Sequence, residues 1–322
     1  MKKLLCALVL LSACQTQGNN VLPQDPVTPA FGERINFTQA GLFPEGIDYD
    51  PVKQNFLVSS VRLGTVGRVN SEGFYTGLVN DEEILSAIGI LADSERDRLL
   101  VAVSDQGSSP RSTDETRQKI AKLGIYSLST GVRQRMVDLG ALKPGDHFAN
   151  DIAIDAEGNA YVTDSKMPLI YRVTPEGEAS IFAENELLGA APEAFGLNGL
   201  VYHPDGYLLV AKSANNAIYK VSVSDPQQIT QVQMPALPAS PDGLELRGDD
   251  LVVVSNGESI VNLVSSTDNW ATATIANQVT LEASFPTTAV TVDEQVHVLE
   301  AKLGQAGEGE SVTEFSIRRA DF

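Results

Sequence analysis

Cysteine, nucleotide-binding motifs and basic residues are scarce or absent in this 322-residue sequence. Two cysteines and three histidines provide neither a disulfide framework nor zinc-type Cys/His spacing. There is no P-loop, dinucleotide glycine fingerprint or G-x-S-x-G motif, which disfavours nucleotide-dependent chemistry and serine hydrolysis. The 23 Lys and Arg residues against 42 Asp and Glu give a net charge of −19. Such a surface repels phosphate backbones, so no nucleic-acid partner is expected.

The N-terminus has the pattern of an export signal. Two lysines precede an apolar run over residues 4–11 that is too short to span a bilayer. The following Leu-Ser-Ala-Cys, ending at Cys14, resembles the bacterial lipobox. The resemblance implies a signal peptide at 1–13, a lipidated Cys14 with a polar tether at 14–32, and a folded domain at 33–322. It also implies a lipid-anchored protein of the bacterial cell envelope, at the outer membrane. An ordinary secretory signal is the alternative.

Six similar strand-rich units follow the tether, and no convincing long amphipathic helix interrupts them. Each unit has a short strand, an acidic or glycine turn and a second apolar strand, as in NDIAIDAEGNAYVTDS and DGLELRGDDLVVVSN. The units open every 43 to 48 residues, apart from one interval of 62 that contains a polar insertion at 106–120. This spacing predicts an all-β fold, a six-bladed β-propeller. A pair of β-sandwiches would not require six equal units.

The two ends of the repeat region complement each other. The last unit ends at VTEFSIRR without an outer strand, and ERINFTQA (residues 33–40) precedes the first unit without a blade of its own. We therefore predict that the N-terminal strand completes the last blade and closes the ring. In such a ring the first residue of each unit lies at the axis. The insertion 106–120 and the loop 303–311 fall on the same face, as lids or as tolerated insertions.

Four of the six units open with an oxygen-bearing side chain, and ring closure would bring all four to the axis. These residues are Glu45, Asn150, Asn198 and Asp242. Two carboxylates balance a divalent cation, and calcium takes about six to eight oxygen ligands, which leaves positions for water and substrate. Singly, an N-G or D-G pair is a common turn, but the turns of these units lie elsewhere. One divalent metal is therefore predicted, calcium first, with magnesium, manganese or zinc left open.

The context of these four residues resembles the family of regucalcin, gluconolactonases and luciferin-regenerating enzyme, and its wider relatives diisopropylfluorophosphatase and the paraoxonases. The matches are E-G at Glu45, N-D at Asn150, N-G-L at Asn198 ahead of P-D-G, and P-D-G-L around Asp242. The resemblance covers roughly residues 33–322. It implies a propeller with one catalytic divalent metal, in which Asp242 is both a ligand and a possible base or nucleophile.

Two departures from this family bear on the substrate. Regucalcin-like lactonases carry an Arg where this chain has Phe148, and an Asp near the position of Lys212. These differences favour a more apolar substrate than a sugar. The expected function is a divalent-metal-dependent hydrolase of small-molecule lactones or related esters, in which the metal polarises the carbonyl. The alternative is a non-catalytic, surface-tethered propeller with a structural calcium that binds a protein or glycan.

The remaining polar residues near the predicted site have less specific assignments. Asp151 either orients the metal ligands or binds only backbone amides. His147 is the candidate for a general base or substrate contact, an exposed loop histidine being the alternative, whereas His203 and His297 are expected to be structural. The substrate-contact candidates are Phe148, Lys212, Lys166 and Arg62. The three cations suit an anionic substrate, although solvated charges are the more ordinary explanation.

Overall fold

The computed structural model describes residues 31–235, 237–282 and 285–322, which form six four-stranded antiparallel sheets. Blade 1 comprises β2 (Ile47–Asp50), β3 (Asn55–Ser59), β4 (Thr65–Val69) and β5 (Tyr75–Asn80). Blade 2 comprises β6 (Ser86–Asp93), β7 (Arg98–Ser104), β8 (Lys122–Ser127) and β9 (Arg133–Asp138). Blade 3 comprises β10 (Ala149–Ile154), β11 (Ala160–Asp164), β12 (Leu169–Val173) and β13 (Ala179–Glu184). Blade 4 comprises β14 (Leu197–His203), β15 (Tyr207–Lys212), β16 (Ala217–Ser222) and β17 (Ile229–Gln231). Blade 5 comprises β18 (Pro241–Arg247), β19 (Asp250–Ser255), β20 (Ile260–Ser265) and β21 (Thr274–Thr280). Blade 6 comprises β22 (Pro286–Val292), β23 (Gln295–Glu300) and β24 (Glu314–Ala320), together with the N-terminal strand β1 (Arg34–Thr38). The all-β, six-bladed propeller is confirmed.

Hydrophobic patterning differs between the second and the outer strands of each blade. The second strands are continuous β-branched and aliphatic runs, and every residue of β7 is buried. The outer strand β21 is largely exposed. The second strands are buried on both faces because adjacent blades pack against each of them, whereas an outer strand faces solvent. The core accordingly consists of apolar layers between neighbouring blades.

The N-terminal strand closes the ring as expected. β1 pairs antiparallel with β24, from Arg34 opposite Arg318 to Thr38 opposite Glu314, and forms the outer strand of blade 6. Its alternate residues Ile35 and Phe37 are buried. Arg34 also forms an ion pair with the buried carboxylate of Glu300 on β23. Because these contacts join the first strand to the last blade, they hold blades 1 and 6 together.

Two of the histidines have structural surroundings, in agreement with the sequence. His297 is buried in blade 6 against Phe31 and Phe56. Burial, reinforced by the charge of Arg319, lowers the pKa of His297 to about 4. His203 stacks on Tyr207, with ring centroids 4.4 Å apart, at the end of the blade opposite the opening residues.

The predicted signal peptide and Cys14 lie outside the described residues. Phe31, at the end of the segment predicted as a tether, is buried against Tyr49 and Phe56, so packing of the domain includes this residue. Within the described ranges, no helix is both long and apolar enough to cross a membrane.

If β1 closes the ring by packing, Phe37→Ala will lower the free energy of unfolding by about 3–5 kcal/mol, because it leaves a cavity between β1 and Phe315. Asn36→Ala, at an exposed position of the same strand, is the matched control and should change stability by less than about 0.5 kcal/mol. Denaturant unfolding followed by the fluorescence of Trp270 measures both. Equal unfolding midpoints for the two variants would contradict the closure role of Phe37.

Candidate active site at the propeller axis

The opening residues lie in β-bulges at the start of the inner strands. In β10, β14 and β18 the pairing register shifts immediately after the first paired residue. A bulge leaves its extra residue outside the ladder and redirects the side chain. Asn150, Asn198 and Asp242 occupy these bulges, and Glu45 lies at the corresponding point just before β2. The repeat position identified in the sequence is thus a structural position that turns side chains to the axis.

A glycine follows the opening residue in four blades because adjacent inner strands approach too closely there for a side chain. A Cβ on Gly46 would lie 2.6 Å from the carbonyl oxygen of Ile88, and one on Gly199 would lie 2.4 Å from that of Asp242. The E-G and N-G pairs therefore reflect packing at the axis and not turns. Blade 3 carries Asp151 at this position.

The four predicted metal ligands line one cavity of about 250 Å³ at this end of the axis, here called the axial cavity. They come from blades 1, 3, 4 and 5, although up to about 200 residues separate them in sequence. Asn150 and Asp242 are each 5% exposed and Asn198 is 9% exposed. The apolar walls of the cavity are Val61, Ile88, Phe148, Phe195, Phe285 and Leu303.

Two serines fix the orientation of the asparagine amides. The Nδ2 group of Asn150 donates to Ser165 Oγ at 2.9 Å, and that of Asn198 donates to Ser213 Oγ at 3.1 Å. Each serine donates in turn to the carbonyl that precedes the next opening residue: Ser165 to Leu197 at 2.6 Å, and Ser213 to Pro241 at 2.7 Å. Because the Nδ2 groups are engaged, the Oδ1 atoms remain as acceptors. Among the described residues, Asn150 Oδ1 is buried without a hydrogen-bond partner.

Of the two carboxylates that line the axial cavity, Asp242 is buried and Glu45 is partly buried. Asn256 Nδ2 donates to Asp242 Oδ2 at 2.6 Å. Burial raises the pKa of Asp242 to about 7, against the opposing effect of the Asn256 and Asn198 hydrogen bonds. Burial, and then the charges of Asp242 and Asp151, raise the pKa of Glu45 well above its ordinary range. A positive charge in the cavity would stabilise the ionised forms of both carboxylates.

The donor set fits a hard divalent cation. It offers two carboxylates and two amide oxygens, one of them without a partner, and calcium, magnesium and manganese prefer oxygen ligands. Within residues 31–235, 237–282 and 285–322, no group of three or more His, Cys, Asp or Glu side chains is arranged to hold a metal. A site here therefore depends on the asparagines, and the lack of sulfur or imidazole donors is unfavourable for zinc.

Sequence reasoning missed Ser165, Ser213 and Asn256, which orient the candidate ligands. All three directly follow the second strand of their blade: β11, β15 and β19. The three blades that open with Asn or Asp all carry a polar residue directly after the second strand. This shared position could have identified the three residues from the sequence.

His147 lies outside the axial cavity, contrary to its prediction as a base or substrate contact, and it is 2% exposed. One ring nitrogen contacts Asp164 Oδ2 at 2.8 Å, and the other contacts the Lys143 carbonyl at 2.7 Å. Burial acts to lower the pKa of His147, but the Asp164 and Lys143 hydrogen bonds outweigh it, and the pKa is raised. Asp164 also accepts a hydrogen bond from Phe148 N. These contacts anchor the loop before β10.

The four predicted substrate contacts separate into two groups. Phe148 lines the axial cavity and packs edge-on against Phe195, with centroids 5.1 Å apart. Lys212 is buried and donates to the Leu187 carbonyl at 2.8 Å, outside the cavity lining, so the prediction that it contacts substrate is not supported. The Lys166 ammonium lies over Phe195, 5.0 Å from the ring centroid, and Lys166 does not line the axial cavity.

Arg62, the fourth, borders a second cavity of about 640 Å³, here called the outer groove. The groove is lined by Gln106, Ser108 and Gln118 of the long β7–β8 loop and by part of the 3₁₀ segment Leu303–Ser311. It shares Gln106, Phe195 and Leu303 with the axial cavity, so the two adjoin each other. The two loops that the sequence placed on the site face therefore border it.

At the opposite end of the axis lies a cavity of about 250 Å³, here called the lower cavity, whose three carboxylates alternate around the ring. Asp48 accepts a hydrogen bond from the backbone amide of Ala92 at 2.6 Å, Asp151 from that of Leu200 at 3.2 Å, and Glu245 from that of Thr291 at 2.8 Å. Each contact joins an odd-numbered blade to the next even-numbered one. Asp151 thus binds a backbone amide, the second of its two predicted roles. Asp48 and Glu245 were not predicted as functional or structural residues from the sequence.

The fold and the cavity define a six-bladed propeller with a polar axial site. No protein-family model matches the chain, and no curated protein matches its sequence. Among solved structures it is similar to the Malassezia sympodialis allergen Mala s 1 (18% identity, TM-score 0.73, covering 91% of this chain and 97% of that one). It is also similar to luciferin-regenerating enzyme (13%, 0.62, 90% and 96%) and to virginiamycin B lyase from Staphylococcus aureus (13%, 0.56, 89% and 98%). Two of these three neighbours are enzymes, but at these identities the likeness shows the fold alone.

Ser165→Ala should weaken metal binding by roughly 10–100-fold, because it frees the amide of Asn150 to rotate. Ser86→Ala is the matched control. Ser86 is also buried and makes an interblade bond, to the Val61 carbonyl at 2.6 Å, but it contacts neither a candidate ligand nor the carbonyl before one. Calorimetric titration of the chelator-treated protein with CaCl₂ measures both. Equal calcium affinity in the two variants would show that the serine stabilises the ring without orienting a ligand.

The metal-free protein should lose stability as pH rises from about 5 to about 8. Burial raises the pKa of Asp48 to about 6 and that of Glu245 to about 8. The folded state therefore holds protons that the unfolded state releases at lower pH, and ionisation above the folded pKa destabilises the fold. Glu245→Gln keeps the oxygen that accepts from Thr291 and should make stability less dependent on pH. Glu176→Gln, at an exposed position, is the control and should leave the pH dependence of stability unchanged. Thermal unfolding across pH measures this, and a Glu245→Gln profile that matched wild type would contradict the assignment.

Proposed function

We propose that this chain is a divalent-metal-dependent hydrolase of lactones or related esters, with the metal held by Glu45, Asn150, Asn198 and Asp242. The observation that carries the proposal is the unpartnered, buried Oδ1 of Asn150 in a cavity that is also lined by the carboxylates of Glu45 and Asp242. An acceptor in this setting is stabilised by a cation and is costly without one. The presence of luciferin-regenerating enzyme among the structures with this fold is compatible with such chemistry.

The bound metal would polarise the substrate carbonyl as a Lewis acid. The chain's own residues would position the reactants. Asn256 fixes one oxygen of Asp242 by its 2.6 Å hydrogen bond, so the other can hold the metal or take a proton from the attacking water. Phe148 and Phe195 form an edge-to-face apolar wall that suits the hydrocarbon part of a substrate and excludes water.

The outer groove beside the axial cavity favours hydrolysis over the non-catalytic alternative. A structural cation site is normally enclosed by protein ligands, whereas a catalytic one keeps an open position for substrate. The protein donors come from four of the six blades, and blades 2 and 6 contribute the apolar residues Ile88 and Leu303 to the cavity lining instead of ligands. This arrangement leaves room for a small molecule next to the metal.

Asp242→Ala should reduce lactone or ester hydrolysis by at least about 10²-fold and weaken calcium binding, because it removes a ligand and the proposed base. Asp249→Ala, at the exposed turn of the same blade, is the matched control. Metal content of the purified domain, and hydrolysis of a lactone and aryl ester panel with and without chelator, measure the effect. A wild-type rate in Asp242→Ala would exclude this mechanism, and bound calcium without hydrolysis of any panel member would favour the binding-platform alternative.

A further inference from the structure

Twelve buried side-chain polar atoms lack a hydrogen-bond partner among the described residues. Three of them belong to residues that line the two adjoining cavities: Asn150 Oδ1, Arg62 Nη1 and Ser108 Oγ. The first is an acceptor on a residue of the axial cavity, where a cation would satisfy it. The other two can donate, and their residues border the outer groove. Unpartnered donors in a groove are satisfied by an acceptor on a ligand.

Arg62 has few interactions for a partly buried cation. Its side chain is 16% exposed, and within the described ranges its one charged partner is Glu310, 4.0 Å from Nη1 and mostly exposed. Acidic residues outnumber basic ones 42 to 23 in this chain, so carboxylates are available to pair with an arginine. A guanidinium held away from solvent favours a carboxylate bound through two parallel hydrogen bonds.

Resting on the proposed hydrolysis at the axis, we infer that the substrate carries a carboxylate distant from its reacting carbonyl and that Arg62, with Ser108, binds this carboxylate in the outer groove. The apolar part of the substrate would pass Phe195 and Leu303, which border both cavities. Hydrolysis adds water across the acyl–oxygen bond and releases an acid and an alcohol, and the distant carboxylate takes no part in the step.

Glu310 makes this inference more specific. Its carboxylate is the nearest anion to Arg62, on the segment Leu303–Ser311 that borders the groove. At 4.0 Å it makes no hydrogen bond with the guanidinium. A substrate carboxylate would therefore compete with a weak internal ligand, and removal of the Glu310 charge should favour binding.

The first test compares two phenyl esters with the metal-loaded protein: the half-ester of a dicarboxylic acid, from succinate to suberate, and the same compound with its free carboxylate methylated. Arg62→Gln should raise KM for the charged ester by roughly tenfold or more, with little change in kcat for that ester or in KM for the neutral ester. Glu310→Gln should lower KM for the charged ester. The control is Lys119→Gln, which removes an exposed cation on the β7–β8 loop, outside both cavity linings.

A second readout does not require catalysis. Chelator-treated protein is titrated calorimetrically with the anilide of the same half-acid, which resists hydrolysis. We expect saturable binding that weakens in Arg62→Gln, and also in Ser108→Ala, which preserves the guanidinium should Arg62→Gln fold poorly. If wild type and both variants bind alike while esters are still hydrolysed, the carboxylate inference is wrong and the proposed function stands. If no ester is hydrolysed but the anilide binds through Arg62, the groove binds carboxylates and the proposed hydrolysis is wrong.

Discussion

The close approach of the inner strands at the axis is the constraint on which the candidate site depends. At Gly46 and Gly199 a side chain would collide with the backbone of the next blade. The bulge that precedes this contact turns the opening residue into the axial cavity. Serine hydroxyls then join the amide of one opening residue to the carbonyl before the next. Ligand orientation is therefore a property of neighbouring blades and not of any one blade. Ring closure by β1 brings blade 6 next to blade 1, so the same kind of contact reaches Glu45: its carbonyl accepts a hydrogen bond from Thr287 of blade 6 at 2.7 Å.

The opposite ends of the axis manage buried negative charge in different ways. In the lower cavity, Asp48 and Glu245 each accept a hydrogen bond from a backbone amide of the next blade, and burial shifts them toward the protonated form. In the axial cavity, Glu45 and Asp242 share their surroundings with amide oxygens, which are further acceptors. At the lower end each of these carboxylates has a backbone amide donor, whereas at the axial end Asp242 accepts from Asn256 but the Oδ1 of Asn150 has no donor. The same repeat thus gives a structural end and an end suited to a cation.

The sequence predicted the features that repeat and missed those that depend on three-dimensional neighbours. Periodic strands and turns identified the blades, and unequal opening residues identified the four residues that line the axial cavity. His147 and Lys212 were misplaced because spacing from a strand end does not show which way a loop side chain turns. Asp164 and the Leu187 carbonyl, which hold them, come from other segments. Asp48 and Glu245 look like ordinary strand residues, and their burial depends on the next blade.

The positions of the unpartnered atoms also bear on whether this propeller is an enzyme or a platform. Each buried polar atom without a partner costs roughly 1–3 kcal/mol, and one whose residue lines a cavity can be satisfied by a bound ligand. A platform with a structural cation would account for Asn150 Oδ1 alone. It would not account for Arg62 Nη1 and Ser108 Oγ, whose residues line a groove beside the proposed cation site. An acceptor in the axial cavity and donors beside the adjoining groove match a small molecule that carries an anionic group at the end away from the metal. This arrangement of donors and acceptor favours a substrate over a protein or glycan partner, because a partner bound at the surface would not extend into the axial cavity.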